Sequence, residues 1–181
     1  MRLFLDRLPS PLGVILLVHD DAGAVRALDF DDFDSRMRRL LRLHYGEVEL
    51  KDAAGPKGVS AALDAYFGGA LDALGTVRTH TAGTPFQCAV WAALRTIAPG
   101  ETISYGALAA RIGRPRAVRA AGLANRANPI AIIVPCHRVI GANGALTGYG
   151  GGLPRKRWLL EHEGVSPDRE PPGSLAPSGV S

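Results

Sequence analysis

Cysteine is scarce in this chain: only Cys88 and Cys136 occur in 181 residues, and neither belongs to a CxxC pair. No His or Cys cluster shows zinc spacing, and His19, His44, His80, His137 and His162 are scattered. This disfavours a disulfide framework or structural metal, and no cofactor is expected, while a metal site assembled from distant histidines stays open. Long apolar runs are missing too. No stretch approaches the ~20 residues of a membrane span, and the N-terminus lacks an apolar signal-peptide core. A soluble, cytoplasmic protein without membrane contact is the expectation. Acidic residues are scarce in one half only: residues 81–164 hold 3 against 10 basic ones, whereas residues 1–80 hold 12 acidic and 10 basic. A positive field confined to one half points to a polyanion partner, most simply nucleic acid.

An apolar content of 46 % supports one or two compact cores. The expected fold class is α+β (α/β in two domains). Residues 1–80 would form a small antiparallel sheet with helices, residues 81–165 a mainly helical winged helix-turn-helix domain, and residues 166–181 a disordered tail. Segments 3–8, 14–19 and 24–30 alternate or run apolar around Pro9-Ser10-Pro11-Leu12-Gly13 and Asp20-Asp21-Ala22-Gly23, and read as three antiparallel strands. Met37, Leu40, Leu41 and Tyr45 place a helix over 35–45, stopped by Gly46, and a second is expected over 60–67. The stretch between them, rich in Lys, Gly and Pro, reads as a surface loop. This first part carries no catalytic signal and reads as scaffold.

The second part opens with a capping box, Thr84-Pro85-Phe86-Gln87, ahead of a helix over 85–97. Phe86, Val90, Leu94 and Ile97 form its core stripe, with Cys88 packed near Trp91. Two short helices follow, over 104–112 and, opened by Pro115, over 115–127, with helix-turn-helix spacing. Arg116, Arg119 and Arg126 project from a second helix otherwise built of Ala, Gly, Val and Leu. Small residues let a backbone lie close to another surface while arginines reach phosphates; a closely packed core helix is the other reading. Asn143-Gly144 is a tight-turn signal that would close a small hairpin, a wing beside these helices.

Pro135-Cys136-His137-Arg138 ends a run of five aliphatic residues, 130–134. A thiol here is either an inert core residue or a nucleophile. An adjacent base and cation favour the second, since only the thiolate attacks well and such neighbours lower a free pKa of about 8.5.

Together with Ser104-Tyr105-Gly106, Arg114-Pro115-Arg116-Ala117-Val118-Arg119, Asn128-Pro129, Val139-Ile140-Gly141, Thr147-Gly148-Tyr149 and Gly151-Gly152-Leu153, these motifs resemble, in order, the O6-alkylguanine-DNA alkyltransferases. The resemblance is detailed over about residues 81–164 and looser over 1–80. It implies direct-reversal DNA repair: irreversible, one-use transfer of an alkyl group to Cys136 from O6-alkylguanine in duplex DNA, with O4-alkylthymine a second substrate, after nucleotide flipping. It implies His137 as base through a bridging water, Glu163 orienting His137, and Asn128 bracing the turn. A glutamate in the last turn of a helix over 154–163 opposes the macrodipole; a partner such as His137 would give a reason for it, and an exposed glutamate of neutral effect is the other reading. Ser104, Tyr105, Arg116, Arg119, Arg126 and Arg138 would meet DNA, Tyr105 at the target phosphate and Arg119 in the vacated stack. Val139, Tyr149, Gly150 and Gly151 would surround the purine. The partner would be alkylated double-stranded DNA, bound by a monomer able to sit side by side with others. Arg126 stands near a position where glycine is common in the family. Gly150 in place of serine and Ala131 in place of proline imply a looser pocket that tolerates larger alkyl groups. Two other classes stay open: a cysteine hydrolase, which would turn over an ester or amide, and a non-catalytic lesion-binding or winged-helix regulator.

Overall fold

The structure is a computed structural model that describes residues 1–167. The expected tail therefore lies outside the described residues except for Ser166 and Pro167. The architecture is α+β. Strands β1 (Arg2–Leu8), β2 (Ile15–His19) and β3 (Val25–Phe30) form an antiparallel meander. A fourth strand, β4 (Glu49–Asp52), joins β1 in parallel, giving the order β3-β2-β1-β4 and a mixed rather than antiparallel sheet. This strand falls in the expected loop. Its sequence, Glu-Leu-Lys-Asp, holds one apolar residue, so pairing with the open β1 edge makes it a strand, not its own pattern.

Every residue of β2 is buried, because both sheet faces are covered. Leu16 and Val18 pack with Leu3, Leu5 and Ala27 against Met37 and Leu41 of α1 (Asp34–Tyr45). Ile15 and Leu17 face the other way. There they join Val25, Leu28, Phe30, helix α2 (Lys57–Phe67) and the second half of the chain in one larger core.

Helix α3 (Pro85–Leu94) starts with the expected capping box: Gln87 N–H donates to Thr84 Oγ1 (3.2 Å) and Thr84 N–H to Gln87 Oε1 (3.0 Å). It ends before residue 97. Thr96 and Ile97 tighten into turns on Ala93 and Leu94, ahead of Pro99, which disfavours a helical residue before it. Ser104 caps α4 (Tyr105–Arg111) by accepting from Ala107 N–H (3.0 Å). Helix α5 (Val118–Arg126) begins three residues later than Pro115 signals. Residues 114–117 form a β-turn closed by Ala117 N–H on Arg114 O (2.9 Å), and proline's fixed φ suits the second position of such a turn as well as a helix start. Arg116 consequently stands in the turn, not on the helix. Trp91 Nε1 donates to Ala124 O (2.8 Å) and fixes α3 against α5.

Strands β5 (Ile103–Ser104) and β6 (Val139–Ile140) pair in parallel. The Asn143-Gly144 turn forms, with Gly144 at φ +80° and Gly141 N–H on Ala145 O (2.9 Å). No second strand leaves it among the described residues, so the expected hairpin wing is a turn only. Helix α6 (Leu153–His162) follows. No helix among the described residues is long and apolar enough to cross a membrane.

The open edge of β3 positions what comes next. Leu28 N–H donates to Pro129 O and Ala131 N–H to Leu28 O, both at 3.0 Å, while Val25 pairs likewise with residues 78–80. The segment entering Cys136 is thus an added edge of the N-terminal sheet.

Candidate active site

Residues 128–136 are a compact buried turn rather than a strand. Ile132 adopts φ +69°, a left-handed conformation that costs a β-branched residue roughly 1–2 kcal/mol. Asn128 spans the turn: its Nδ2 donates to Val134 O (2.8 Å) and Ile130 O (3.3 Å), and its Oδ1 accepts from Ile130 N–H (3.0 Å). A short 3-10 turn over Cys136–Arg138 follows and delivers the thiol at 6 % exposure.

His137 is wholly buried, with Nε2 2.9 Å from Glu163 Oε2. Glu163 caps the C-terminus of α6 at 4 % exposure. A carboxylate only accepts, so Nε2 carries the proton and Nδ1 presents a lone pair. That Nδ1 is buried without a hydrogen-bond partner among the described residues. Burial pushes His137 below its ordinary pKa against the upward pull of Glu163, so the ring is neutral at pH 7. Hydrogen bonds from Arg138 and His137 hold Glu163 well below the usual carboxylate range, more than offsetting its desolvation. Burial raises the Cys136 thiol, although Asn128 and the cations Lys156 and Arg36 pull the other way. The tetrad's neighbours alone suggested a lowered thiol; desolvation prevails.

Arg138 does not face solvent as a DNA contact would. Its side chain is 8 % exposed, with Nε 2.8 Å from Glu163 Oε1, Nη2 2.9 Å from Oε2, and Nη1 on Ile97 O. A buried carboxylate needs a counter-charge, and the guanidinium of Arg138 supplies it through a two-nitrogen fork. Tyr66 of α2 also donates to Glu163 Oε2, at 2.6 Å. The first half of the chain therefore enters the site, which no local signal around Tyr66 announced.

Toward the surface, Arg114, Arg116 and Arg119 are exposed and make no ion pair or side-chain hydrogen bond among the described residues. Arg119, Gly122, Leu123 and Arg126 share a face of α5 and line a groove closed by Tyr105 and Thr147. Leu123 there is 62 % exposed. Tyr105 packs on Gly122, and its hydroxyl donates to Thr147 O (3.1 Å). Lys156, fully buried, donates to Val139 O (2.6 Å) and Thr147 O (2.7 Å), so the carbonyl of Val139 already holds one donor. Tyr149 is buried and its hydroxyl has no partner among the described residues.

Gly150 and Gly151 are tight, not loose. A Cβ on Gly150 would meet Arg36 Nη1, and one on Gly151 would lie 2.8 Å from Phe30. Arg36 comes from α1 and is clamped on buried Asp29 through Nε (3.0 Å) and Nη2 (2.6 Å). The wall expected to be loosened by glycine is filled by a guanidinium instead. Ala131 is buried in the core.

A buried thiol, a neutral base held by a carboxylate and a helix-turn-helix with unpaired arginines define a DNA-binding protein built around one nucleophile. Comparison with known proteins agrees. The family profile described as "6-O-methylguanine DNA methyltransferase, DNA binding domain" matches residues 85–165. The chain is 50 % identical over 166 residues to the methylated-DNA--protein-cysteine methyltransferase of Salmonella typhimurium, covering 91 % of this chain and 97 % of that one. The Mycobacterium tuberculosis protein of the same name is 59 % identical over 128 residues, 69 % of this chain and 77 % of that one. The crystal structure of Mycobacterium tuberculosis OGT in complex with DNA superposes with a TM-score of 0.72 at 43 % identity, covering 90 % and 92 % of the two chains. The chain belongs to the methylated-DNA--protein-cysteine methyltransferase family.

Proposed function

We propose that this protein repairs duplex DNA by moving an alkyl group from the 6-oxygen of guanine onto Cys136, once per molecule. The observation that carries this reading is the relay itself: a buried thiol next to a histidine whose Nε2 is tied to Glu163 and whose Nδ1 is left as a base. Through a bridging water, the Cys136 proton passes to His137 Nδ1, and Glu163 balances the imidazolium. Sulfur attacks the alkyl carbon, the S–C bond forms, the C–O bond breaks, and its electron pair stays on the guanine oxygen. The proton that His137 took from the thiol is returned through water to ring N1, which gives guanine and leaves His137 neutral. The product is a thioether, whose S–C bond water does not cleave because a thiolate leaves poorly from a saturated carbon, and this makes the transfer irreversible.

The thiol is too recessed to reach a base inside a duplex, so the nucleotide must be extruded, at a cost of a few kcal/mol. Arg119, at the exposed face of α5, fills the gap. Arg116 and Arg126 contact phosphates, Ser104 offers its hydroxyl proton, and Tyr105 donates at the mouth. Val139, Tyr149, Gly150 and Gly151 surround the purine, with the buried Tyr149 hydroxyl as donor to its edge. Residues 81–165 form the DNA-binding unit on a scaffold of residues 1–80. The protein acts in the cytoplasm as a monomer that can align side by side on DNA.

Intact-protein mass spectrometry after incubation with a duplex carrying one O6-methylguanine tests this, with Cys136→Ser in parallel. One methyl on Cys136, absent from the variant, is expected. An unmodified protein that still binds the lesion would make it a recognition module, and multiple turnover of an ester would make it a hydrolase.

A further inference from the structure

The carboxylate of Glu163 accepts four donors from three directions. Oε1 takes Arg138 Nε (2.8 Å); Oε2 takes Arg138 Nη2 (2.9 Å), His137 Nε2 (2.9 Å) and Tyr66 Oη (2.6 Å). The shortest of these bonds comes from the half of the chain that reads as scaffold. Tyr66 has 0 % exposure and is gripped at its other end by the same helix that ends in Glu163. His162 Nε2 donates to Tyr66 O (2.7 Å), and the His162 ring meets the Tyr66 ring edge-on at 5.1 Å while stacking on Trp158 at 4.8 Å. Both grips come from α6, so the aim of the hydroxyl is fixed by packing.

We infer that Tyr66 is a positioning residue of the alkyl-transfer reaction: its hydroxyl shares Glu163 Oε2 with His137, tempers that oxygen, and keeps His137 a neutral base. The inference rests on the alkyl-transfer reading above. Its physical ground is that each donor on a carboxylate lowers the negative charge left for the next. Without the Tyr66 hydroxyl, Oε2 pulls harder on the His137 Nε2 proton, and the ring takes up a second proton at higher pH. A base that is already protonated cannot accept the thiol's proton. The other groups facing this pair are Cys136, Arg138 and, from α6, Lys156; of these, Arg138 and Lys156 also oppose protonation of His137. Among the described residues outside this second-half group, Tyr66 is the donor that touches the carboxylate itself.

The test compares the full-length protein with Tyr66→Phe, which keeps the buried ring. Single-turnover methyl transfer from an O6-methylguanine duplex is measured from about pH 5 to about pH 9, and the His137 ring is titrated separately by 15N NMR. The acid limb of the rate profile and the imidazole titration should both move up by about one unit, with the plateau rate within about twofold of the parent. Difluorotyrosine at position 66, a stronger donor of the same shape, should move both the other way. A variant that loses thermal stability or active fraction while limb and titration stay put would show a structural role only and overturn the inference. Should the parent fail to transfer methyl, the alkyl-transfer reading falls, and an unmoved NMR titration would separately overturn the assignment of Tyr66.

Discussion

Replacing Arg138 by leucine separates two roles that its place next to Cys136 leaves open. On DNA, the arginine would be one phosphate contact. In the structure it spends three nitrogens inside the protein, two on Glu163 and one on Ile97 O. Leucine would leave the Glu163 carboxylate buried with only Tyr66 and His137. Breaking a buried pair by removing one partner costs roughly 3–5 kcal/mol. For a chain of this size each kcal/mol moves the melting temperature by about 2–4 °C, so a fall on the order of 10 °C is expected by calorimetry. Affinity for undamaged duplex should stay within about twofold, with the slope of log affinity against log salt unchanged, because a phosphate contact contributes about 0.9 to that slope. The loss should also slow methyl transfer more at about pH 6 than at about pH 8, since a less neutralised Glu163 raises the proton affinity of His137. A variant with unaltered melting temperature and a slope shallower by about one would refute the buried-pair assignment and return Arg138 to the DNA surface.

Arg119→Ala should slow methyl transfer by roughly 10- to 100-fold while changing affinity for undamaged duplex little, because its cation is worth most once a nucleotide has left the stack; equal losses in both assays would make it an ordinary phosphate contact. Gly150→Ser should cost about 1–3 kcal/mol in denaturant unfolding by driving Arg36 off Asp29, and adding Arg36→Ala should abolish that increment; strict additivity in the double-mutant cycle would disprove the contact. Burial lowers Lys156 to about 8, whereas the unfolded chain keeps that proton up to about pH 10.4. Between these values the unfolded state binds more protons, so folding stability gains up to ~3 kcal/mol as pH rises through the window. Lys156→Met lacks this gain, and a parent-minus-variant stability difference that stays flat from about pH 8 to about pH 10 would contradict the lowering of Lys156 by burial.

Signals confined to a few neighbouring residues could be read directly. The capping box at Thr84, the helix-turn-helix spacing and the tetrad at Cys136 each depend on local chemistry, and the two helices of the pair form, although α5 starts three residues after Pro115. Glu163 was legible in a weaker sense. Its charge opposes the dipole of α6, which a partner would explain but an exposed glutamate would also permit, and nothing local says that four donors converge on it. Features that depend on distant chain stayed hidden. Strand β4 exists because β1 has a free edge, and Gly150 is tight because Arg36 arrives from α1. Pro115 illustrates an ambiguity of another kind, since one fixed φ serves both a turn and a helix start. Arg138 was misplaced because a cation beside a nucleophile in a basic half suggests a phosphate, and only the position of Glu163 decides otherwise.

If Cys136 is the nucleophile proposed above, the acidic first half bears on how its sulfur stays unreactive away from substrate. Desolvation at 6 % exposure raises the Cys136 thiol against the pull of Lys156 and Arg36, so the resting sulfur keeps its proton. The N-terminal side braces the segments around the thiol. β3 lends its edge to residues 129–131, Arg36 covers Gly150, and Arg155 clasps Phe30 at 4.1 Å while pairing with Asp32. The same half supplies Tyr66 to the carboxylate behind His137. Loosening this half would wet the thiol and strengthen Glu163's hold on the imidazole proton. On the alkyl-transfer reading, the first change favours indiscriminate alkylation and oxidation of the sulfur, and the second withdraws the base proposed for attack on DNA. On that reading the first half both suppresses the wrong reaction and supports the right one, and it is placed to do so because buried residues of both halves share one core.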